Sequence, residues 1–316
     1  MPTEYLTFAH QLADVAGDVI RPYFGAHGAV ENKSDESPVT VADRAAEQAM
    51  RRLIETHYPT HAIYGEEFGL QLAASDSTNG PDLTVRSVSE PRAANEKNAS
   101  RASEPSASVA ARSVGQETNA EHSRFTWVID PIDGTRAFIA GRKEWGTLIA
   151  LCENGVPVLG ILDQPITGER WVGVKGQPTS YSVVPAAELD PRKRGREVTI
   201  HTRSCTSIAD AELSTTSTAY FTPTQAARVV KLAQSARATV KDGDCYAYGL
   251  LARGLRDIVV DAGLKPDDTL ALVPIIEGAG GKITGWDGSP VTLDNFREVV
   301  AVGDRNLQQA VFTMLD

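Results

Sequence analysis

The stretch from Phe125 to Ile139 restricts this chain more than any other. Phe125-Thr126-Trp127-Val128-Ile129 is a strand-like run that stops at Asp130, and Asp133-Gly134-Thr135 follows after Pro131-Ile132. Arg136-Ala137-Phe138-Ile139 can then open a helix. Two aspartates so close at a strand end repel each other unless something positive sits between them. Gly134 allows a sharp turn and the close approach of a ligand. A helix starting there points its free N–H groups at whatever lies above the acids. The pattern suits an anion bridged to the carboxylates by a divalent cation. An isolated Asp-Gly is an ordinary turn; the doubled aspartate at a strand end favours a site.

Before this stretch, Leu6, Ala9, Ala13, Ile20 and Phe24 recur at helical spacing, so a helix is predicted over 4–24. Asn32 to Pro38 reads as a loop, and Thr40-Val41-Ala42-Asp43 as a capped start of a second helix that Pro59 closes. Ala62-Ile63-Tyr64 is a short strand running into Gly65-Glu66-Glu67. After it, Asn154-Gly155 between two apolar runs is a hairpin signal, and Glu169 to Val174 another strand. The basic run Pro191 to Arg196 reads as a solvated turn. Val198 to His201 and Ser214 to Ala219 are predicted as strands. Thr222-Pro223-Thr224-Gln225 has the form of a capping box for a helix to about Arg237. Cys245 to Ala252 is predicted helical, Asp257 to Val260 a strand, and Asp268 to Gly278 a helix kinked by Pro274. Strands and helices alternate irregularly, with hairpins, which favours a layered α/β or α+β architecture.

Between Gln71 and His122 the aromatic residues vanish and Ser, Ala, Asn, Glu and Arg dominate. Such a segment buries too little apolar surface to offset its ordering entropy, so residues 75–122 are expected to be a disordered insertion. The net charge of -10 argues against nucleic acid or an anionic membrane as partner. It leaves room for a small phosphorylated substrate, because a bound cation reverses the local sign. No apolar run approaches the ~18 residues of a membrane span. Cys152, Cys205 and Cys245 are scattered, and Glu4, Asp14 and Asp18 replace the basic start of a signal peptide. A reducing, cytoplasmic setting is expected.

Acids stand at several element ends: Asp43, Glu66 with Glu67, Asp130, Asp133 and Asp268. Together with adjacent glycines they describe an oxygen-lined site for hard cations, magnesium above all. Competing motifs fail on spacing. Asp130 to Gly134 lacks the alternating acids of an EF-hand loop. Gly280-Gly281-Lys282 is followed by Ile283, with Ile276 where a P-loop needs glycine. Pro59 separates His57 from His61, and no G-x-S-x-G elbow occurs.

At Gly65-Glu66-Glu67, Asp130-Pro131-Ile132-Asp133-Gly134-Thr135 and Asp268, eleven residues before Ala279-Gly280-Gly281, the chain resembles the inositol-monophosphatase superfamily of magnesium-dependent, lithium-sensitive phosphomonoesterases. The resemblance implies an alternating α-β-α-β-α sandwich. Residues 1–74 and 123–316 would form one phosphatase unit, with an N-terminal α+β half to about 185 and a C-terminal α/β half from about 196. Within the superfamily, Thr135 to Arg142, Trp145 to Leu151, Gly243-Asp244-Cys245-Tyr246 to Ala252 and Gly263-Leu264-Lys265-Pro266 resemble the histidinol-phosphate phosphatases. Three residues depart from that pattern: Asp267 replaces an aromatic, Asp242 a glycine and Asp261 a glutamate.

The resemblance implies roles. Glu66, Asp130, the carbonyl of Ile132, Asp133 and Asp268 would hold two or three Mg²⁺, and the N–H groups of Gly134 and Thr135 the phosphate oxygens. Water acidified by the cation would attack phosphorus in line, oriented by Glu66 and the Thr135 hydroxyl. Asp43 would support Thr135 or a third cation. Asp244 and Asp261 would face the leaving alcohol, two anions that suit an amino alcohol such as histidinol. The expected activity is hydrolysis of a small phosphorylated alcohol, histidinol phosphate first, by a homodimer. Inositol-phosphate and nucleotide 3′-phosphatases are rivals in the same class, and a non-catalytic binding protein on this fold a rival in another.

Overall fold

The computed structural model describes residues 3–25, 30–32, 38–73, 123–184 and 194–316. The 75–122 insertion, most of the 32–38 loop and the first half of the basic run at 191–196 lie outside them. The first helix, α1 (Thr3–Ile20), runs into a 3-10 turn at Arg21–Tyr23. A small antiparallel pair, β1 (Val30–Asn32) with β2 (Pro38–Thr40), leads directly into α2 (Val41–His57).

Eight strands make the large sheet: β3 (Ala62–Gly65), β4 (Gly69–Gln71), β5 (Phe125–Asp133), β6 (Gly146–Glu153), β7 (Val156–Gln164), β8 (Glu169–Val174), β9 (Ser180–Val183) and β10 (Val198–Thr199). Their order is β10-β9-β8-β7-β6-β5-β3-β4, antiparallel except where β3 lies parallel to β5. A short helix, α3 (Thr135–Ile139), follows β5. The β6–β7 hairpin turns at Asn154 and Gly155 with φ of 51° and 77°, the left-handed pair such a turn requires. The sheet takes its last strand from 198–199, beyond the expected half boundary.

The second sheet contains β11 (Glu212–Thr215), β12 (Ala238–Lys241), β13 (Ile258–Ala262), β14 (Lys282–Gly285) and β15 (Glu298–Val302), in the order β12-β11-β13-β15-β14. Its helices are α4 (Pro223–Ser235), α5 (Asp244–Ala252), α6 (Pro266–Thr269), α7 (Leu272–Gly278) and α8 (Gln308–Leu315). The predicted capping box is present: Thr222 accepts from the Gln225 N–H while Gln225 accepts from that of Thr222.

Three apolar cores define the layers. One joins Leu12, Ala16 and Ile54 of α1 and α2 to Trp127, Ile149 and Ile161 of the large sheet. A second joins Val128, Leu148 and Trp171 on the other face to Leu251 of α5, Ile275 of α7 and Val259 and Ala301 of the second sheet. The third joins Leu213, Ile258 and Val300 to Leu232 of α4 and Val311 of α8. The result is the alternating α-β-α-β-α sandwich. Two local expectations need correcting. Ser214 to Ala219 is not one strand: β11 ends at Thr215 and a 3-10 turn occupies Thr218–Tyr220. The helix expected from Asp268 is split into α6 and α7, although Leu270 and Ala271 keep helical angles. Pro274 has no N–H to offer the carbonyl of Leu270, so the ladder lapses there while the path continues.

Candidate active site

The aspartates of β5 share a side because the strand is irregular. Successive strand residues face opposite ways, so positions 130 and 133 of a regular strand would diverge. Pairing with β6 instead steps from Asp130↔Leu148 to Asp133↔Gly146, one residue too many on β5, and this bulge turns the second carboxylate back. Thr147 Oγ1 pins the bulge by donating to the Pro131 carbonyl (2.8 Å), and Asp130 Oδ1 accepts from the Ile132 N–H (2.9 Å). The chain leaves through Gly134 at φ 92°, ψ 37°. A Cβ there would stand 2.9 Å from Trp145 Cβ and 3.1 Å from Asp244 Oδ2, so both the turn and the space require glycine.

Glu66 and Glu67 are held from below by α2. Glu47 is fully buried; it accepts from Arg51 Nε (2.7 Å) and from the main-chain N–H groups of Glu67 (2.7 Å) and Phe68 (3.2 Å). A Cβ on Gly65 would collide with that carboxylate, which explains the glycine before the glutamates. From the other side come Asp267 and Asp268 on α6. Asp268 Oδ2 accepts from the Lys265 N–H (2.7 Å), and Lys265 Nζ lies 3.1 Å from Glu66 Oε1.

Three sets of carboxylates converge, each offering oxygens within 4.8 Å of one another: Asp43, Glu66 and Glu67; Glu66, Asp130 and Asp267; Asp130, Asp133 and Asp268. Burial, reinforced by the neighbouring acids, pushes Asp130 and Asp133 well above the ordinary carboxylate range. Asp268 is raised to about 6, chiefly by burial. Asp244 is raised to about 7, by burial first and then by Asp242, Asp261 and Asp268. Such a field is costly without a compensating cation. Carboxylates and main-chain carbonyls are the donors that hard divalent ions take, so the residues present fit such an ion.

The structure therefore brings Glu66, Asp130, Asp133 and Asp268 together. The Thr135 hydroxyl donates to the Ile132 carbonyl (3.1 Å), which places both beside the bulge. Asp43 gathers with Glu66 and Glu67. Asp244 reaches the Gly134 turn. Asp261, expected on the alcohol side, has a different environment. It is only 2% exposed, and its oxygens accept from the Thr216 N–H (2.7 Å), the Tyr248 hydroxyl (2.9 Å) and the hydroxyls of Thr215 and Thr216. Its charge is one of those that raise the pKa of Asp244. Sequence reasoning did not assign ligand roles to Glu67 and Asp267; the acid doublets 66–67 and 267–268 were the available signal.

A five-layer α/β sandwich with a bulged strand, a glycine turn and convergent carboxylates defines the class of divalent-metal phosphomonoesterases. Comparison with known proteins agrees. The sequence model of the inositol monophosphatase family matches residues 1–315, and the chain belongs to that family. It is 37% identical over 320 residues to the chloroplastic bifunctional phosphatase IMPL2 of Arabidopsis thaliana, covering 99% of this chain and 75% of that protein. It is 29% identical to the histidinol-phosphatase of Mycobacterium tuberculosis, over 91% of this chain and 90% of that one. Among solved structures, an inositol monophosphatase from Zymomonas mobilis superposes with a TM-score of 0.72 at 40% identity, covering 99% of this chain and 98% of the other.

Proposed function

We propose that this phosphatase is magnesium-dependent and hydrolyses the phosphate ester of a small amino alcohol, histidinol phosphate first. The observation that carries the substrate is Asp244, a carboxylate set against the Gly134 turn and backed by Asp242 and Asp261. An anionic wall beside the phosphate position favours a leaving alcohol that bears an ammonium group over a neutral polyol. The likeness to a curated histidinol-phosphatase supports the same reading.

Glu66, Asp130, the Ile132 carbonyl, Asp133 and Asp268 would hold Mg²⁺, with Asp43 and Glu67 available to a further ion. A bound divalent cation supplies charge neutralisation and a water acidic enough to act near neutral pH. Glu66 and Thr135 would orient that water. The Thr135 hydroxyl spends its proton on the Ile132 carbonyl and keeps lone pairs to accept from it. The N–H groups of Gly134 and Thr135 would bind phosphate oxygens, and Asp244 the ammonium of the leaving group.

A second reading, inositol monophosphate as substrate, is favoured by the likeness to the Zymomonas mobilis protein. Side-by-side hydrolysis of histidinol phosphate and inositol 1-phosphate with Mg²⁺ decides between them. The expected result is a kcat/KM at least about tenfold higher for the amino alcohol ester; preference for the inositol ester overturns the substrate. Full activity in Asp130→Asn would overturn the metal site itself.

A further inference from the structure

Asp267 stands where this chain departs from the aromatic residue of the resembling pattern, and its surroundings are unusual for a carboxylate. It is 1% exposed, and neither side-chain oxygen has a hydrogen-bond partner. No Lys or Arg forms an ion pair with it among the described residues: Lys265 Nζ goes to Glu66 instead. Its oxygen lies within 4.8 Å of oxygens of Glu66 and Asp130. Burial raises its pKa well above the ordinary range, with Asp268 and Glu66 adding to the effect. Buried polar groups left this way are costly, and their recurring explanations include a missing ion.

The local geometry gives Asp267 and Asp268 separate tasks. Adjacent residues on a helix point about 100° apart. On α6, Asp268 accordingly joins Asp130 and Asp133, whereas Asp267 joins Glu66 and Asp130. Asp130 belongs to both sets and lies between them.

We infer that Asp267 is a cation ligand in its own right, completing with Glu66 and Asp130 a three-carboxylate position for a hard divalent ion next to the one formed by Asp130, Asp133 and Asp268. The inference rests on the metal site proposed above and adds one ligand to it. The extra negative charge strengthens cation binding at that position and makes the metal-free protein less stable. Lys265, half exposed and reaching Glu66 from the rim, would have to yield that oxygen for a bound cation to use it.

Calorimetric titration of the chelated, full-length protein with Mn²⁺ tests this, using Asp267→Asn and Asp267→Leu, with Asp130→Asn for reference. Each Asp267 variant is expected to lose about tenfold or more in affinity at one site, while its chelated form melts at or above the parent temperature. Mn²⁺ affinity and stoichiometry within about twofold of the parent, where losing even an outer-shell partner of a ligand costs about tenfold, overturn the inference. Chelated variants that melt well below the parent overturn it too, because Asp267 would then be a structural element of the metal-free fold. If Asp130→Asn also leaves Mn²⁺ binding intact, the proposed metal site fails as a whole; if it alone abolishes binding, only the role of Asp267 falls.

Discussion

The main-chain N–H of Cys245 donates to Asp133 Oδ2 at 2.6 Å, joining residues 112 positions apart. This bond ties the first turn of α5 to the bulge of β5 and sets Asp244 against Gly134. The spacing between the proposed metal acids and the proposed alcohol-side acid, Asp244, therefore depends on the Gly134 turn. Gly134→Ala would force an L-residue to φ 92° and press its methyl towards Trp145 and Asp244. The expected outcome is a loss of about 1–3 kcal/mol in stability together with a fall in kcat. Urea unfolding and steady-state kinetics measure the two; an unchanged kcat would show that the turn does not set the site.

Glu47 belongs to none of the three converging carboxylate sets, yet it supports the glutamate turn. Glu47→Ala removes the acceptor of the Glu67 and Phe68 N–H groups and leaves Arg51, itself buried, without its carboxylate. Breaking a buried pair this way costs about 3–5 kcal/mol. Glu47 is a positioning residue, so kcat and cation affinity should fall along with the melting temperature. Glu47→Gln, which keeps an acceptor for the turn, should recover part of the cation affinity in the same titration. Equal affinities in both variants would leave Glu47 a purely structural role.

Much of this architecture was legible because its signals are local. The Thr222 capping box, the Asn154-Gly155 turn and the Asp130 to Thr135 run each announce themselves within a few residues. What escaped depends on distant partners. The β5 bulge exists through its pairing with β6, and no residue of β5 alone announces it. Asp261 looked like a pocket residue because its sequence context aligned with one, but Thr215, Thr216 and Tyr248 occupy its oxygens. That Asp267 gathers with Glu66 and Asp130 while Asp268 gathers with Asp130 and Asp133 follows from the direction of α6; the 267–268 doublet signals the acids but not which way each faces.

Stability of the metal-free enzyme should rise on acidification from pH 8 towards pH 5. Asp244 and Asp268 have folded-state values of about 7 and about 6, against ordinary values near 3.8. Between those limits the native state binds more protons than the unfolded chain, so stability falls as pH rises through the window. Added Mg²⁺ should weaken or reverse the trend, since it binds the deprotonated acids and stabilises most at high pH. Melting curves against pH, with chelator and with Mg²⁺, check both parts. A metal-free protein that grows more stable up to pH 8 contradicts the assignment.

His61 gives the opposite slope at a separate place. Its Nδ1 accepts from the indole N–H of Trp127 (3.1 Å) beneath the first core, and it stacks on Tyr58. Burial lowers its pKa to about 4. From the ordinary value of about 6.5 down to about 4 the unfolded chain takes up a proton that the native state refuses, so this residue withdraws stability as pH falls. His61→Phe keeps a ring for the stack, leaves the Trp127 N–H without its acceptor, and should cost about 1–3 kcal/mol at pH 8. The penalty should shrink towards pH 5, where the parent alone carries the histidine's protonation cost. Urea unfolding of parent and variant at both pH values measures the difference, and a penalty that does not change with pH would mean that His61 takes up its proton equally well in the folded and unfolded chain.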